Sequence, residues 1–495
     1  MIILLILFAI IIALSDYLLK FSVYRYWTRR NIKQLPPTFL VGNFGKLALQ
    51  QLSLSELIRK LYNDTKNEAL IGVYMFYQPT LQINDVKIAK NILQTDFKHF
   101  EDRGPNVDVE RDPLAGNLFM LSGDAWKNMR SDLTPSFTPG KLKVMFPTIL
   151  QTANKLLEHI DSISHESSIE IRDMSARFVT DIIASVSFGI EVNSIENPNH
   201  IFRVMGRKAI DSNLMNGIRI FLNALAPKLN EYIKVNFVNK ESSDFMIDVV
   251  RKTVEYRDKN NEERKDFLQL LLQMRDASRN VENGKEMSIN EMAAQAAIIY
   301  FAGFETTSTT MAFCLYELAK NKEIQRKVQL EIDQLLVDEH NEVTFDTLAK
   351  LTYLEKCFDE TLRKYPPVPM LNRLCTESYT IPELKITIQK GETVYIPVSG
   401  FHHDPKFYPN PNEFIPERFD NIDEMKNVPY YPFGEGPRNC IGLRLGKLNA
   451  KVGLAFLLSK YNFEFNEKTP AELKPDPKVV NLIPLNGIHL KIIKR

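Results

Sequence analysis

The sequence offers no cysteine pairing. Its four cysteines, Cys314, Cys357, Cys375 and Cys440, are scattered and contain no CxxC, which excludes a disulfide framework and a zinc ribbon. The folded part therefore belongs in a reducing compartment. Charge of either sign is not in surplus: 62 basic against 61 acidic residues leave a net charge of +1, so nothing argues for nucleic acid as a partner. Internal repeats and low-complexity stretches are missing. No strand–GxGxxG–helix is present either, because Gly434-Glu435-Gly436 lacks the third glycine and follows no clear strand. A dinucleotide site within the chain is thereby excluded. His402 and His403 are adjacent, and adjacent side chains on a regular element do not face one ion, so they are not read as a metal pair.

What is present is a long, apolar-rich chain. At 495 residues it exceeds the usual single-domain length, and 44% apolar content excludes disorder as its main state. Met1 to Leu14 is unbroken apolar, and Tyr17 to Leu19 extend the run past Ser15 and Asp16. That is roughly the 20 residues needed to cross a bilayer. A cleaved signal peptide is the alternative, but there is no basic segment before the run and no small-x-small cleavage site after it. Lys20, Arg25, Arg29, Arg30 and Lys33 follow instead. The positive-inside bias then makes the run an uncleaved signal anchor with the bulk of the chain cytoplasmic.

Beyond the anchor, Ala69 to Ile83 reads as strand, turn at Gln78-Pro79, strand. Helices dominate afterwards: Phe178–Ile190, apolar nearly all round and hence buried; Phe267–Met274; Glu323–Leu336; and Leu351–Arg363. Ile386 to Val398 reads as a β-hairpin turning at Lys390-Gly391. Prolines at 405, 409, 411 and 416 forbid regular structure nearby. The fold class is mainly α with small β-sheets (α+β).

Two stretches break local rules. Ser288-Ile-Asn-Glu291 is a capping box opening a long helix to about Lys320. Midway that helix carries Ala302-Gly-Phe-Glu305-Thr306-Thr307, whose glycine and threonines are poor helix formers. Ala302 and Thr306 share a face and would wall something bound beside them; alternatively the threonines only back-bond and bend the helix. The second stretch, Phe433 to Gly442, reads FGEGPRNCIG. It sets Cys440 in a tight turn just before a helix, where dipole and free amides stabilise a thiolate. A metal-ligating or reactive thiolate and a structural loop cysteine both remain open at this point.

These residues together resemble the cytochrome P-450 family of haem-thiolate monooxygenases. FGEGPRNCIG fits FxxGxRxCxG at Phe433, Gly436, Arg438, Cys440 and Gly442. The threonine helix fits the oxygen-activation pattern, Glu360-Thr-Leu-Arg363 the ExxR pair, Pro416-Glu-Arg418-Phe419 the PERF motif, and Trp126-Lys-Asn-Met-Arg130 the WxxxR helix. LTPSFTPGKLKVMF, DFLQLLLQ and FAGFETTSTTMAFCLYELA are similar to the microsomal insect detoxification branch. Leu35-Pro-Pro-Thr-Phe departs from the common PPGP form.

The resemblance implies an anchor at 1–24, a basic, proline-bearing linker at 25–45, and a haem-thiolate monooxygenase domain at 46–495. It implies haem b with Cys440 as thiolate iron ligand, shielded by Phe433, and propionates held by Trp126, Arg130, Arg373 and Arg438. Thr306 and Glu305 would deliver protons during dioxygen activation. Glu360, Arg363 and Arg418 would form a buried brace for the cysteine loop. Pocket positions carried over are Phe119, Phe301, Ala302, Val368 and Leu371, all apolar, so the expected substrate is lipophilic. A lid from Ile201 to Phe245, with Leu222, Leu225, Ala226, Pro227, Ile233 and Phe237, would touch the bilayer. Electrons would come from a membrane-bound NADPH-dependent flavoprotein reductase, docking near Lys127, Arg444 and Lys447. The expected setting is the endoplasmic reticulum membrane, and the expected activity hydroxylation or epoxidation of foreign lipophiles. Oxidation of an endogenous hormone, terpenoid or fatty acid is the enzymatic alternative, and a non-catalytic haem sensor the other.

Overall fold

The computed structural model describes residues 17–18, 20–104, 108–163, 168–210, 214–220, 222–223, 227–279, 286–339, 343–421 and 425–495. The expected membrane-spanning run lies almost wholly outside them. No helix among the described residues is long and apolar enough to cross a membrane.

Helices dominate, as their periodic apolar residues dictate. The elements that place the site are α1 (Leu54–Thr65), β1 (Leu70–Met75), β2 (Gln78–Ile83), α2 (Gly123–Leu133), α3 (Ile171–Ile183), α4 (Ile289–Lys320), α5 (Lys322–Asp338), α6 (Thr352–Lys364), β3 (Leu371–Leu374), β4 (Tyr379–Ile381), β5 (Ile386–Ile388), β6 (Thr393–Ile396) and α7 (Leu443–Lys460). Further helices at Phe267–Arg279 and Lys240–Asn260 pack around them. α4 is the axis. Its capping box is formed, with the Glu291 amide donating to Ser288 Oγ at 3.2 Å and the Ser288 amide to Glu291 Oε2 at 2.8 Å. From Met292 to Ala319 its side chains are buried on nearly every face, as a helix through the middle of a large core must be. α3 was expected to begin near Phe178; it begins seven residues earlier, capped by the Glu170 carboxylate, then widens over Ala184–Phe188 and stops at Gly189.

The sheet differs from expectation in two places. β1 and β2 pair antiparallel from Leu70↔Ile83 to Met75↔Gln78, so the turn is Phe76-Tyr77, with Phe76 in the left-handed region. Pro79 stands inside β2. It is tolerated because it faces Tyr74, whose amide and carbonyl are used by Asn43 on the other edge, so no ladder donor is lost at that pair. Ile386 to Val398 is not one hairpin. β5 pairs with β4, whereas β6 joins the four-stranded sheet of order β1-β2-β6-β3. Gly391 turns the chain from one sheet into the other.

Two hydrophobic clusters meet beneath the cysteine loop. One surrounds α4 and includes Phe178, Phe304 and Leu445, with Phe433 and Ile441 packed against it. The other is built on the sheet and includes Tyr431 and Val394. Residues 431 and 433 thus anchor the loop in different cores. Within the stretch expected to be a linker, 25–45, Trp27, Ile32 and Phe44 are buried, and Trp27 Nε1 donates to the Val73 carbonyl at 3.2 Å. Each such side chain contributes roughly 1.5–3 kcal/mol on burial.

Candidate functional site

Ala302 on α4, Phe119 before α2, Val368 before β3 and Cys440 in the loop before α7 are exposed. Contacts join the elements around them. The Gly446 site on α7 lies 3.7 Å from Thr307 Oγ1 on α4, and the Gly434 site lies 3.8 Å from Leu371 Cδ2. Phe301 is buried beside Ala302, and Leu371 is half-buried. These contacts tie α4 to α7 and Leu371 to the cysteine loop. At Gly303 the two helices approach closely: a Cβ there would lie 2.6 Å from Ile183 Cδ1 on α3, so that side-chain end would have to shift.

The loop around Cys440 is fixed by backbone geometry. Gly436 has φ +72, and a Cβ on it would stand 1.8 Å from the Leu93 carbonyl oxygen, so only glycine fits. The Cys440 amide donates to the Phe433 carbonyl at 2.8 Å. Although part of Cys440 is accessible, desolvation by the protein packed around it pushes the thiol up, while the Gly442 amide, Arg130 and Arg103 pull it back. A bound cation would hold such a sulfur deprotonated outright. Among the described residues no cluster of three histidine, cysteine or carboxylate side chains could hold a bare metal ion. One sulfur is the complement of a metal whose other ligands come with its own macrocycle.

The surrounding charges fit that group. Arg130 donates to the Asn439 carbonyl and Oδ1, both at 2.8 Å. Arg438 donates to the carbonyls of Glu101 and Leu121 at 2.8 and 2.9 Å, and its guanidinium lies 3.9 Å from the Trp126 ring centroid. Trp126 therefore stacks on the arginine. Burial, with Asp102 and Glu101 opposing it, leaves Arg438 pushed down to about 10; burial and the nearby Arg438 push Arg373 to about 10 as well. Arg438 Nη1 and Arg373 Nε are buried without a hydrogen-bond partner. Sequence reading missed a fourth member, Arg103, which donates to the carbonyls of Phe119 at 3.0 Å and Arg438 at 3.1 Å. Burial, then Arg373 and Arg438, hold it well below its usual range. Its only signal in the sequence was an arginine among loop residues. Two orphaned donors within a group of four guanidiniums are suited to the oxygens of an anionic group, such as a carboxylate.

Thr306 Oγ1 donates to the Ala302 carbonyl at 2.6 Å, the back-bonding weighed above, which leaves its lone pairs to accept from water. Glu305 is turned elsewhere. It is buried, pairs with Arg172 on α3, and accepts from Thr309 Oγ1 at 3.3 Å.

Glu360 and Arg363 are both fully buried and joined twice, at 2.7 and 2.9 Å. Arg418 Nε and the Ile415 amide approach the same carboxylate at 3.3 and 3.0 Å. Of the three expected docking cations, Lys127 pairs with Glu101 at 3.0 Å and Lys447 with Asp359 at 2.9 Å, while Arg444 is exposed. In the expected lid, Ile233 is exposed, Leu222 buried and Phe237 half-buried. Leu225, Ala226 and the side chain of Pro227 lie outside the described residues.

The family model described as Cytochrome P450 matches residues 33–490. The chain is similar to a probable cytochrome P450 6a20 of Drosophila melanogaster, 39% identical over 95% of each chain. It is also similar to cytochrome P450 6a2 of the same fly, 36% identical over 98% of each. Cytochrome P450 6A1 of Musca domestica is 35% identical over 98% of this chain and 96% of its own.

Proposed function

This chain belongs to the cytochrome P450 family, an oxidoreductase family of monooxygenases, and on that premise we propose that it oxidises lipophilic foreign compounds at the endoplasmic reticulum membrane. The observation that carries this reading is Cys440 in its glycine-built loop, with Arg103 and Arg130 close enough to act on the sulfur and Arg373 and Arg438 beside Arg103. Haem b bound there would supply the redox chemistry, its thiolate ligand favouring O–O cleavage. Cys440 would hold the iron, Arg103, Arg130, Arg373 and Arg438 the propionates, and Phe433 would keep water from the sulfur. Thr306 orients a water through its free lone pairs, and Glu305, tied to Arg172 near the surface of α3, is the solvent-side end of the proton relay. Phe119, Phe301, Ala302, Val368 and Leu371 exclude water and orient an apolar substrate. A separate NADPH-dependent flavoprotein reductase delivers the electrons, with exposed Arg444 on its docking face. Residues 1–24 anchor the domain, which lies on the cytoplasmic side.

Reconstitution with reductase and NADPH across a panel of lipophiles tests the activity, with oxygenated product as the readout. Turnover confined to hormones, terpenoids or fatty acids would move the chain to biosynthesis, and no product from any class would make it a sensor. Thr306→Ala is expected to keep haem while releasing more peroxide per product. Unchanged coupling would remove Thr306 from the relay.

A further inference from the structure

The buried Glu360–Arg363 pair and the cysteine loop are bridged by His402, a residue the roles above leave unused. His402 is wholly buried. Its Nδ1 lies 3.1 Å from the Arg363 carbonyl oxygen, and its Nε2 accepts the Tyr431 amide at 3.0 Å. A carbonyl only accepts and an amide only donates, so the ring carries its proton on Nδ1 and leaves Nε2 bare. Arg363 Nη1 donates in turn to the His402 carbonyl at 2.9 Å. Histidine and arginine thus hold each other in both directions. The imidazole also stacks on Tyr430, at 5.5 Å and 21°. Beyond Tyr431 the bonds continue: the Gly434 amide donates to the Tyr431 carbonyl at 3.1 Å, and the Cys440 amide to that of Phe433 at 2.8 Å.

We infer that His402 is a positioning residue which carries the Glu360–Arg363 frame to the Cys440 loop by holding the Tyr431 amide. The inference rests on the haem-thiolate reading of Cys440. Burial and the neighbouring Arg363 push the imidazole down to about 3, so it stays neutral near pH 7, as the bond from Tyr431 requires. The alternative is that His402 only packs against Arg363 and the loop holds itself.

Two near-isosteres separate these. In His402→Asn the amide nitrogen stands close to Nδ1 and keeps the bond to Arg363, but the Tyr431 amide is left buried without an acceptor. In His402→Gln the side-chain oxygen stands close to Nε2 and keeps the Tyr431 bond. The holoprotein, reduced under carbon monoxide in mild denaturant, is followed by its thiolate-type Soret band. A parent protein without that band overturns the haem-thiolate reading itself. Given the band, His402→Asn is expected to lose it about tenfold faster than the parent, and His402→Gln to stay within about twofold. The reverse order, or decay of both at the parent's rate, overturns the inference. Should His402→Asn not accumulate, His402→Phe, which fills the space and makes neither bond, takes its place. Equal decay of His402→Phe and His402→Gln then sinks the proposal.

Discussion

Two groups of arginines, each with buried members, are joined to the Cys440 loop, and they are finished to different degrees. Around Glu360 the chain satisfies its own charges. Arg363 spends its donors on that carboxylate and on the carbonyls of His402 and Glu413, and Arg418 adds a second cation. Around Arg438 the chain stops short. Four guanidiniums crowd together, two carboxylates answer them, and two N–H groups have no partner. Unsatisfied buried donors are costly, and a native structure keeps them where something else completes them. The first group is complete within the chain; the second leaves two buried donors open.

The largest effect should come from breaking the finished group. Glu360→Ala leaves two buried guanidiniums facing each other and is expected to cost about 3–5 kcal/mol, seen as loss of soluble folded protein. A variant melting close to the parent would break the comparison. Arg438→Leu attacks the unfinished group. It should leave the circular dichroism unchanged yet speed haem transfer to an acceptor apoprotein by roughly ten- to a hundredfold. Unchanged transfer would detach the arginine cluster from the propionates.

Acid titration sharpens the contrast further. His402 is held near 3 and His403 well below its ordinary 6.5, chiefly by burial. Their folded-state pKa values are lowered, so stability is full above 6.5 and is lost as pH falls and the unfolded chain takes up protons first. Between pH 6.5 and about pH 5 the parent should lose about 1–2 kcal/mol more than His402→Gln in parallel melts. Equal losses would mean that His402 is not buried neutral. The smallest effect is expected at Lys127, whose exposed pairing with Glu101 and Asp124 is screened by solvent. Lys127→Ala should leave melting temperature and haem retention unchanged, and a measurable loss of either would extend the brace to the surface.

Local signals were legible wherever neighbours in sequence are neighbours in space. The Ser288–Glu291 cap, the helix after Cys440 and the Glu360–Arg363 spacing could all be read directly. Misreadings came where distant chain decided. Pro79 looked like a turn, but its missing donor costs nothing opposite Tyr74, which bonds outward to Asn43. The run 386–398 looked like a hairpin because alternation does not say which sheet a strand joins. Trp27 sat in a basic, proline-bearing stretch, and only the fold shows it sealed against the sheet. Arg103 gave no signal, since its meaning lies in three other arginines far along the chain.

By itself the sequence determined the glycine loop around Cys440, the long capped helix and the order of the motifs, because glycine turns, caps and short-range pairs are set by local chemistry; the reaction class followed from the family those motifs resemble. Only the tertiary structure decided that Arg103 completes the cationic cluster, that Glu305 turns to Arg172, and that His402 links the buried ion pair to the loop. Those depend on burial and on charges brought together from remote segments, and neither quantity is written in any one stretch of the chain.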